Sequence, residues 1–130
     1  MQGIGILEYA IAAGVDGLML TCAGAGGHTG EMSPFACLPQ VRRMFGGAIV
    51  LAGGIADADG VRGALALGAD LVCMGTRFIA TTESESPDAY KTMLVNSSTA
   101  DVMSTDAIAG LTANWLKPSL VANGLDPDHL

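Results

Sequence analysis

The sequence contains the segment Ala64-Leu-Ala-Leu-Gly-Ala-Asp-Leu-Val-Cys-Met74, in which an alanine-rich stretch is followed by a glycine and then by apolar residues. The alanine-rich part is typical of a helix end, and Gly68 can adopt the left-handed conformation that terminates a helix. The apolar residues after Asp70 are typical of a buried strand of a parallel sheet. The segment Ala10–Thr21 repeats this pattern, with Gly14 in the place of Gly68. The repeat predicts two helix-to-strand units.

Further elements alternate around this repeat. Ser33 is a candidate N-cap for a helix over Pro34–Phe45, and Asp57 is a candidate cap for a helix that continues to Leu67. The order helix, strand, helix, strand, helix, strand implies parallel βαβ units. The predicted strands are Leu18–Thr21, Ala48–Ala52 and Leu71–Met74.

The predicted fold class is α/β, and it is the C-terminal portion of an incomplete (β/α)8 TIM barrel. A complete barrel of this kind needs about 250 residues, whereas this chain has 130. The chain also opens directly in a helix-like segment, Ile4–Ala13. Both observations favour an upstream portion that is not in this sequence.

The sequence changes character after Thr81. We expect a helix over Asp88–Asn96, followed by an irregular or helical C-terminal extension over residues 97–130 that Trp115 and Leu116 anchor. No linker separates this extension from the strands, so residues 1–130 are expected to form a single domain.

Composition excludes several classes of partner. Only six Lys and Arg residues are present, they are scattered, and the formal net charge is −7. Nucleic acid and anionic membrane surfaces are therefore not expected as partners, because both require clustered cations. The three cysteines form no CxxC pair, so neither a disulfide framework nor a metal site is expected and a cytoplasmic location is favoured.

Active sites of parallel α/β folds lie at the carboxyl ends of the strands. The loop Cys22–Gly30 follows the first predicted strand, is rich in glycine and contains His28. Such a loop can lie flat against a ring system and present one imidazole as a general base or orienting group. The alternative is a surface histidine in a flexible loop, but the position after a buried strand favours function.

The next two strand ends carry Gly53-Gly54 and Gly75-Thr76. Glycines at a strand end let backbone N–H groups converge on an anion, and the threonine adds a hydroxyl donor. The loops after the last two strands of a barrel are a frequent phosphate site. The alternative is that each glycine only makes a tight turn. Arg77 is either a further phosphate ligand or part of a structural ion pair.

Taken together, these motifs resemble the nitronate monooxygenases, formerly called 2-nitropropane dioxygenases. Each motif is short, but their order and spacing are specific, and the resemblance extends from about Ala10 to Leu125. The motifs that carry it are Ala25-Gly-Gly-His-Thr-Gly30, Ser33-Pro-Phe-Ala36, Leu51-Ala-Gly-Gly-Ile-Ala-Asp57, Ala64-Leu-Ala-Leu-Gly-Ala-Asp70, Met74-Gly-Thr-Arg-Phe78 and Asn114-Trp-Leu-Lys117.

The resemblance implies an FMN-dependent enzyme that oxidises alkyl nitronates with O2 to a carbonyl compound and nitrite, without a metal. It also implies roles for individual residues. Gly26 and Gly27 would lie near the flavin, and His28 would face the substrate as base or orienting group. The FMN phosphate would be held by Gly53, Gly54, Gly75 and Thr76.

Two alternatives accompany this interpretation. One is an FMN- and NAD(P)H-dependent enoyl-ACP reductase of the same barrel family. The other is a catalytically inert, phosphate-binding half-barrel that associates with itself or with a missing N-terminal half to cover its open sheet edges. The family often has a charged residue where Gly24 stands here, so one polar contact would be lost. We expect weak or absent turnover from this chain alone.

Overall fold

A computed structural model describes residues 2–130 and confirms the predicted alternation of helices and parallel strands. The first strand is followed by a two-residue strand that the sequence did not predict, Gly27–His28. The elements of this part of the chain are α1 (Gln2–Ala12), β1 (Gly17–Thr21), β2 (Gly27–His28), α2 (Pro34–Met44), β3 (Ala48–Ala52), α3 (Ala58–Ala66) and β4 (Leu71–Cys73).

The predicted helix boundaries have the expected physical causes. The Ser33 hydroxyl accepts a hydrogen bond from the N–H of Phe35, and the Asp57 carboxylate accepts one from the N–H of Gly60. Both side chains thus cap a helix N-terminus. Gly14 and Gly68 have φ angles of 78° and 109°, which is the left-handed conformation predicted for the ends of their helices.

The strands β1, β3 and β4 form one parallel sheet in the order β1-β3-β4. In this register Thr21 pairs with Ala52, and Ala52 pairs with Cys73. The last residues of the three strands therefore lie in one row, and the loops that follow them leave the sheet at the same edge.

The core lies between one face of this sheet and the helices that cover it. Leu20 and Ile49 of the strands and Leu38 of α2 are among the fully or almost fully buried residues. The opposite face is open, with Met19 58% and Leu71 59% exposed. The expectation that these apolar strands are buried on both faces is therefore wrong for the described chain, because three strands do not close into a barrel.

The C-terminal extension differs from the expectation. It contains helices, as predicted, but it also supplies two strands of a second, antiparallel sheet of order β2-β6-β5, in which β6 pairs with β2 and β5 pairs with β6. Both strands have four residues and carry polar side chains, so they lack the long apolar pattern that marked β1 and β3. The elements that follow β4, of which the last four belong to the extension, are α4 (Thr76–Ile79), α5 (Asp88–Asn96), a 3-10 helix (Thr99–Asp101), β5 (Val102–Thr105), β6 (Ala113–Leu116) and α6 (Lys117–Ala122). Between residues 2 and 130 no helix is both long and apolar enough to cross a bilayer.

The guanidinium of Arg42 connects the segments that precede β3 and β4. Its Nε donates to the Gly68 carbonyl at 3.0 Å and its Nη1 donates to the Gly47 carbonyl at 2.9 Å. Its Nη2 contacts the Asp70 carboxylate at 2.5 Å, and the same carboxylate accepts the Ile49 N–H at 2.8 Å. One side chain thus ties together the amino ends of two neighbouring strands.

We expect Arg42→Lys to lower the free energy of unfolding by about 1–2 kcal/mol, because an ammonium group cannot reproduce the planar set of donors. Urea denaturation followed by circular dichroism measures this loss. Arg43→Lys is the matched control, since the neighbouring Arg43 is exposed and has no ion pair with a described residue. Equal stabilities of the two variants would contradict the role given to Arg42.

The backbone hydrogen bond from Ile49 and the contact with Arg42 lower the pKa of Asp70. A carboxyl whose pKa falls on folding stabilises the native state above its unfolded pKa, about 3.9 for aspartate, and loses that contribution as the pH falls towards the folded value. We therefore expect Asp70→Asn to be less stable than the parent at pH 7, with a gap that narrows below about pH 4.

Urea denaturation at pH 7, 5 and 3.5 measures this gap. Asp88→Asn, at the exposed start of α5, is the control for the loss of one surface carboxylate that makes no contact with Arg42. A gap between parent and Asp70→Asn that stays constant from pH 7 to 3.5 would contradict the assignment.

Candidate functional site

A cavity of about 1210 Å³ lies at the edge of the sheet where the strands end. Its walls come from the three loops that follow β1, β3 and β4 and from the C-terminal extension. Six of the seven residues predicted for the site line it, namely Gly26, His28, Gly53, Gly54, Gly75 and Thr76.

Gly27, the seventh residue, does not line the cavity. It has a φ of 73° and pairs with Asn114 across the second sheet. Its structural contribution is the left-handed backbone that turns the loop into β2, a conformation that side chains other than glycine rarely adopt. Proximity to a flavin remains a prediction for this residue.

His28 is held by the antiparallel sheet rather than by a free loop. It pairs with Ala113 of β6, and the following N–H, that of Thr29, donates to the Thr112 carbonyl at 3.2 Å. Its imidazole lines the cavity and makes no hydrogen bond or ion pair with a residue that the structure describes. Both ring nitrogens are therefore available to a ligand, as donor or acceptor according to the tautomer.

The turn after β3 supports the loop that carries His28. Gly53 has a φ of 124°, and a Cβ at this position would lie 2.6 Å from the carbonyl oxygen of Cys22. The N–H of Gly54 donates to the Gly24 carbonyl at 3.0 Å. The N–H of Gly54 is therefore already hydrogen-bonded. Gly54 contributes its backbone conformation to the site and not the free N–H donor that the sequence suggested.

The turn after β4 offers the donors that the turn after β3 lacks. Gly75 precedes α4, which begins at Thr76. Within residues 2–130, no acceptor is found for the N–H groups of Gly75 and Thr76. Gly26 faces this turn so closely that a Cβ there would overlap the Thr76 hydroxyl oxygen. Two unused N–H groups and one hydroxyl are thus brought together at one side of the cavity.

The charges around the cavity favour an anionic ligand. The chain has 13 Asp and Glu residues and a net charge of −7, yet none of these carboxylates lines the cavity. Arg77 does line it and has no ion pair with any described residue. The structural ion pair, one of the two interpretations of Arg77, is therefore not found among the described residues, and the role of phosphate ligand stays a prediction.

The sequence did not identify the wall that the C-terminal extension contributes. Asn114 of β6 lines the cavity, and its Nδ2 donates to the Ala25 carbonyl at 2.7 Å. The motif around Asn114 supported the family resemblance but gave no role, since its partner is 89 positions away. Thr99, Val102 and Ser104 complete this wall, and α5 adds Leu94 and Val95 to the lining of the cavity.

The Cys22 thiol does not add a nucleophile to the site. Burial, followed by the contact with Cys37, raises the pKa of the Cys22 thiol to about 12. Cys22 thus stays protonated at neutral pH and is a poor nucleophile. Within residues 2–130 all three cysteines are free thiols, and no group of three His, Cys, Asp or Glu side chains could hold a metal ion.

Comparison with known proteins gives two kinds of relative. The nitronate monooxygenase of Paraburkholderia phytofirmans is 34% identical over 125 residues, which cover 89% of this chain and 34% of that protein. A (3aS,4S,5R,7aS)-5-hydroxy-7a-methyl-1-oxo-octahydro-1H-indene-4-carboxyl-CoA dehydrogenase of Mycobacterium tuberculosis is also 34% identical, over 93% of this chain and 36% of that protein. Both names are those of oxidoreductases.

Two solved structures share the fold and more than 30% of the sequence. FabK from Thermotoga maritima superposes with a TM-score of 0.78 and 37% identity, over 87% of this chain and 36% of FabK. Nitroalkane oxidase from Streptomyces ansochromogenes superposes with a TM-score of 0.75 and 33% identity, over 83% and 34% of the two chains.

The chain spans about a third of the length of these relatives. A family model described as nitronate monooxygenase matches residues 3–124, which is almost the whole chain. The chain therefore belongs to the nitronate monooxygenase family.

Proposed function

We propose that this chain forms the phosphate-binding end and the imidazole-bearing loop of an FMN-dependent oxidoreductase that oxidises alkyl nitronates with O2 to a carbonyl compound and nitrite. One observation carries the proposal: His28, Gly53 and the Gly75-Thr76 turn line the same cavity, into which no carboxylate projects. Family membership supports it.

The residues of the cavity fit the phosphate of FMN. The two unused N–H groups at Gly75 and Thr76 and the Thr76 hydroxyl are the kind of donor set that binds a phosphate without lysine. Gly26 leaves a space beside the Thr76 hydroxyl, and a Cβ at position 26 would fill that space. Arg77 adds the one guanidinium among the residues that line the cavity. Gly53 and Gly54 shape the opposite side of the cradle.

His28 is the residue of this chain that would act on the substrate. FMN, when bound, supplies the redox chemistry, while the protein supplies position and electrostatics. A ring N–H of His28 can donate to a nitronate oxygen and hold the anion, and an unprotonated ring nitrogen can accept a proton from the substrate.

We also propose that further polypeptide completes the barrel, either another part of a longer protein or a second copy of this chain. Met19 and Leu71 leave the inner face of the sheet exposed, and the relatives are about three times as long. Residues 1–130 alone are therefore expected to release little or no nitrite. A reducing, cytoplasmic location is part of the same proposal and agrees with the three free thiols.

An FMN- and NAD(P)H-dependent enoyl-ACP reductase, which reduces the C=C bond of an enoyl thioester, is the second candidate. The relative from Mycobacterium tuberculosis favours it, since that protein is named for a CoA-linked substrate. Oxidation of NADH in the presence of an enoyl thioester, measured beside nitrite release from an alkyl nitronate, separates the two functions.

The phosphate cradle predicts that FMN binds at least about tenfold more tightly than riboflavin, which is about 1.4 kcal/mol. Thr76→Val should reduce this ratio severalfold by removing the hydroxyl, without weakening riboflavin binding. Fluorescence titration of each flavin with the purified chain measures both affinities. Thr82→Val, outside the cavity lining, is the control and should preserve the ratio; equal binding of FMN and riboflavin to the parent chain would refute the cradle.

The role of the imidazole predicts that His28→Ala lowers the rate of nitrite release by about 100-fold or more, with FMN still bound. The measurement uses whichever form of the protein turns over a nitronate, with its barrel complete. His129→Ala serves as the control, because His129 is exposed, pairs with Asp126 and lies outside the cavity lining. Similar nitrite rates for the two variants would exclude His28 from the reaction.

A further inference from the structure

The loop that carries His28 has little stiffness of its own. Residues 22–30 include four glycines, Gly24, Gly26, Gly27 and Gly30, and glycine permits more backbone conformations than any other residue. A catalytic group must be held within a fraction of an ångström of its working position. Contacts from outside the loop must therefore hold His28 in its working position.

Most of those outside contacts are made by the backbone. The N–H of Ala23 donates to the Met32 carbonyl at 2.8 Å, and the carbonyl of Gly24 accepts from the N–H of Gly54. β2 adds its pairing with β6. Among the described residues, Asn114 is the one whose side chain reaches this loop from another element with a hydrogen bond. It is thus the contact that a substitution can remove while the backbone pairing stays.

The position of Asn114 suits this contact. It occupies the middle strand of the antiparallel sheet, paired with Ser104 on one side and with Gly27 on the other. Because Gly27 has no side chain, the strand face beside Asn114 is open, and the amide reaches past it to the Ala25 carbonyl at 2.7 Å. That carbonyl lies three residues before His28.

We propose that Asn114 is a positioning residue for His28, which fixes the loop through the Ala25 carbonyl and makes the C-terminal strands part of the site. The catalytic consequence rests on the proposed function, whereas the structural consequence does not. Asn114→Asp removes the amide donors at nearly constant shape and sets a carboxylate oxygen against the carbonyl, so the loop should move away.

The first measurement is independent of activity. Proton–carbon NMR spectra resolve the imidazole signals of the two histidines, His28 and His129. In Asn114→Asp we expect the His28 signal to shift or broaden, while His129, which pairs with Asp126 near the C-terminus, serves as an internal reference. Asn123→Asp is the matched control, because the Asn123 amide makes an equivalent bond to the Ser119 carbonyl at 2.8 Å outside the cavity lining.

The second measurement asks whether Asn114 acts through His28. In a protein that turns over a nitronate or a thioester, Asn114→Asp should lower kcat about 10- to 100-fold and leave FMN affinity within about twofold. In the His28→Ala background the same substitution should change kcat by less than about twofold, since residues that act through one another are not additive.

Each outcome decides the proposal. A His28 signal that is unchanged in folded Asn114→Asp, or an equal loss of kcat in both backgrounds, would overturn it. If Asn114→Asp does not fold, Asn114→Thr replaces it, because a β-branched residue suits a strand and its hydroxyl is too short to reach Ala25. A shifted His28 signal, combined with no nitrite release from a protein whose barrel is complete, would refute the proposed function but support the positioning role.

Discussion

The guanidinium of Arg42 sets the constraint on which the rest of the structure depends. It joins the carbonyls of Gly47 and Gly68 and the carboxylate of Asp70, all of which lie in the short segments that lead into β3 or β4. A planar group with five donors suits this task, because it holds several acceptors in a fixed relative geometry. The strands have only three to five residues, so fixing their amino ends also fixes where their carboxyl ends lie. The positions of the site residues thus depend on contacts at the opposite edge of the sheet.

The alignment of the carboxyl ends explains why glycine is needed in the loops that follow. β1 and β3 are neighbouring strands whose last residues lie in one row. The loop after β1 and the turn after β3 therefore contact each other directly beyond the strand ends. Gly53 meets the Cys22 carbonyl, and Gly26 meets the Thr76 hydroxyl, at distances that leave no room for a Cβ. The glycines of the motif therefore make close backbone contacts possible, and the cavity is the space that remains beside them.

The parts of the fold that could be predicted from sequence are those set by local interactions. Ser33 and Asp57 cap helices through bonds to residues two and three positions away, and Gly68 ends a helix by its own conformation. The strand β6 could not be predicted, since its partner β2 lies in the His28 loop more than 80 residues earlier, and β5 in turn pairs with β6. For the same reason the occupied N–H of Gly54 and the contact of Asn114 were not foreseen: both depend on which backbone lies opposite, and no spacing within a motif encodes that.

The similarity of the relatives to this chain does not indicate a single substrate. Relatives equally similar to this chain, at 34% identity, are named for a nitronate and for a CoA thioester. Similarity over this third of the relatives therefore cannot by itself select between such substrates. The apolar wall that includes Leu94, Val95 and Val102 is the part of this chain that lies in the cavity but outside the glycine motifs. We expect substrate selection to depend on this wall and on any polypeptide that faces the open side of the sheet, whereas the ends of β1, β3 and β4 position His28 and the Gly75-Thr76 turn.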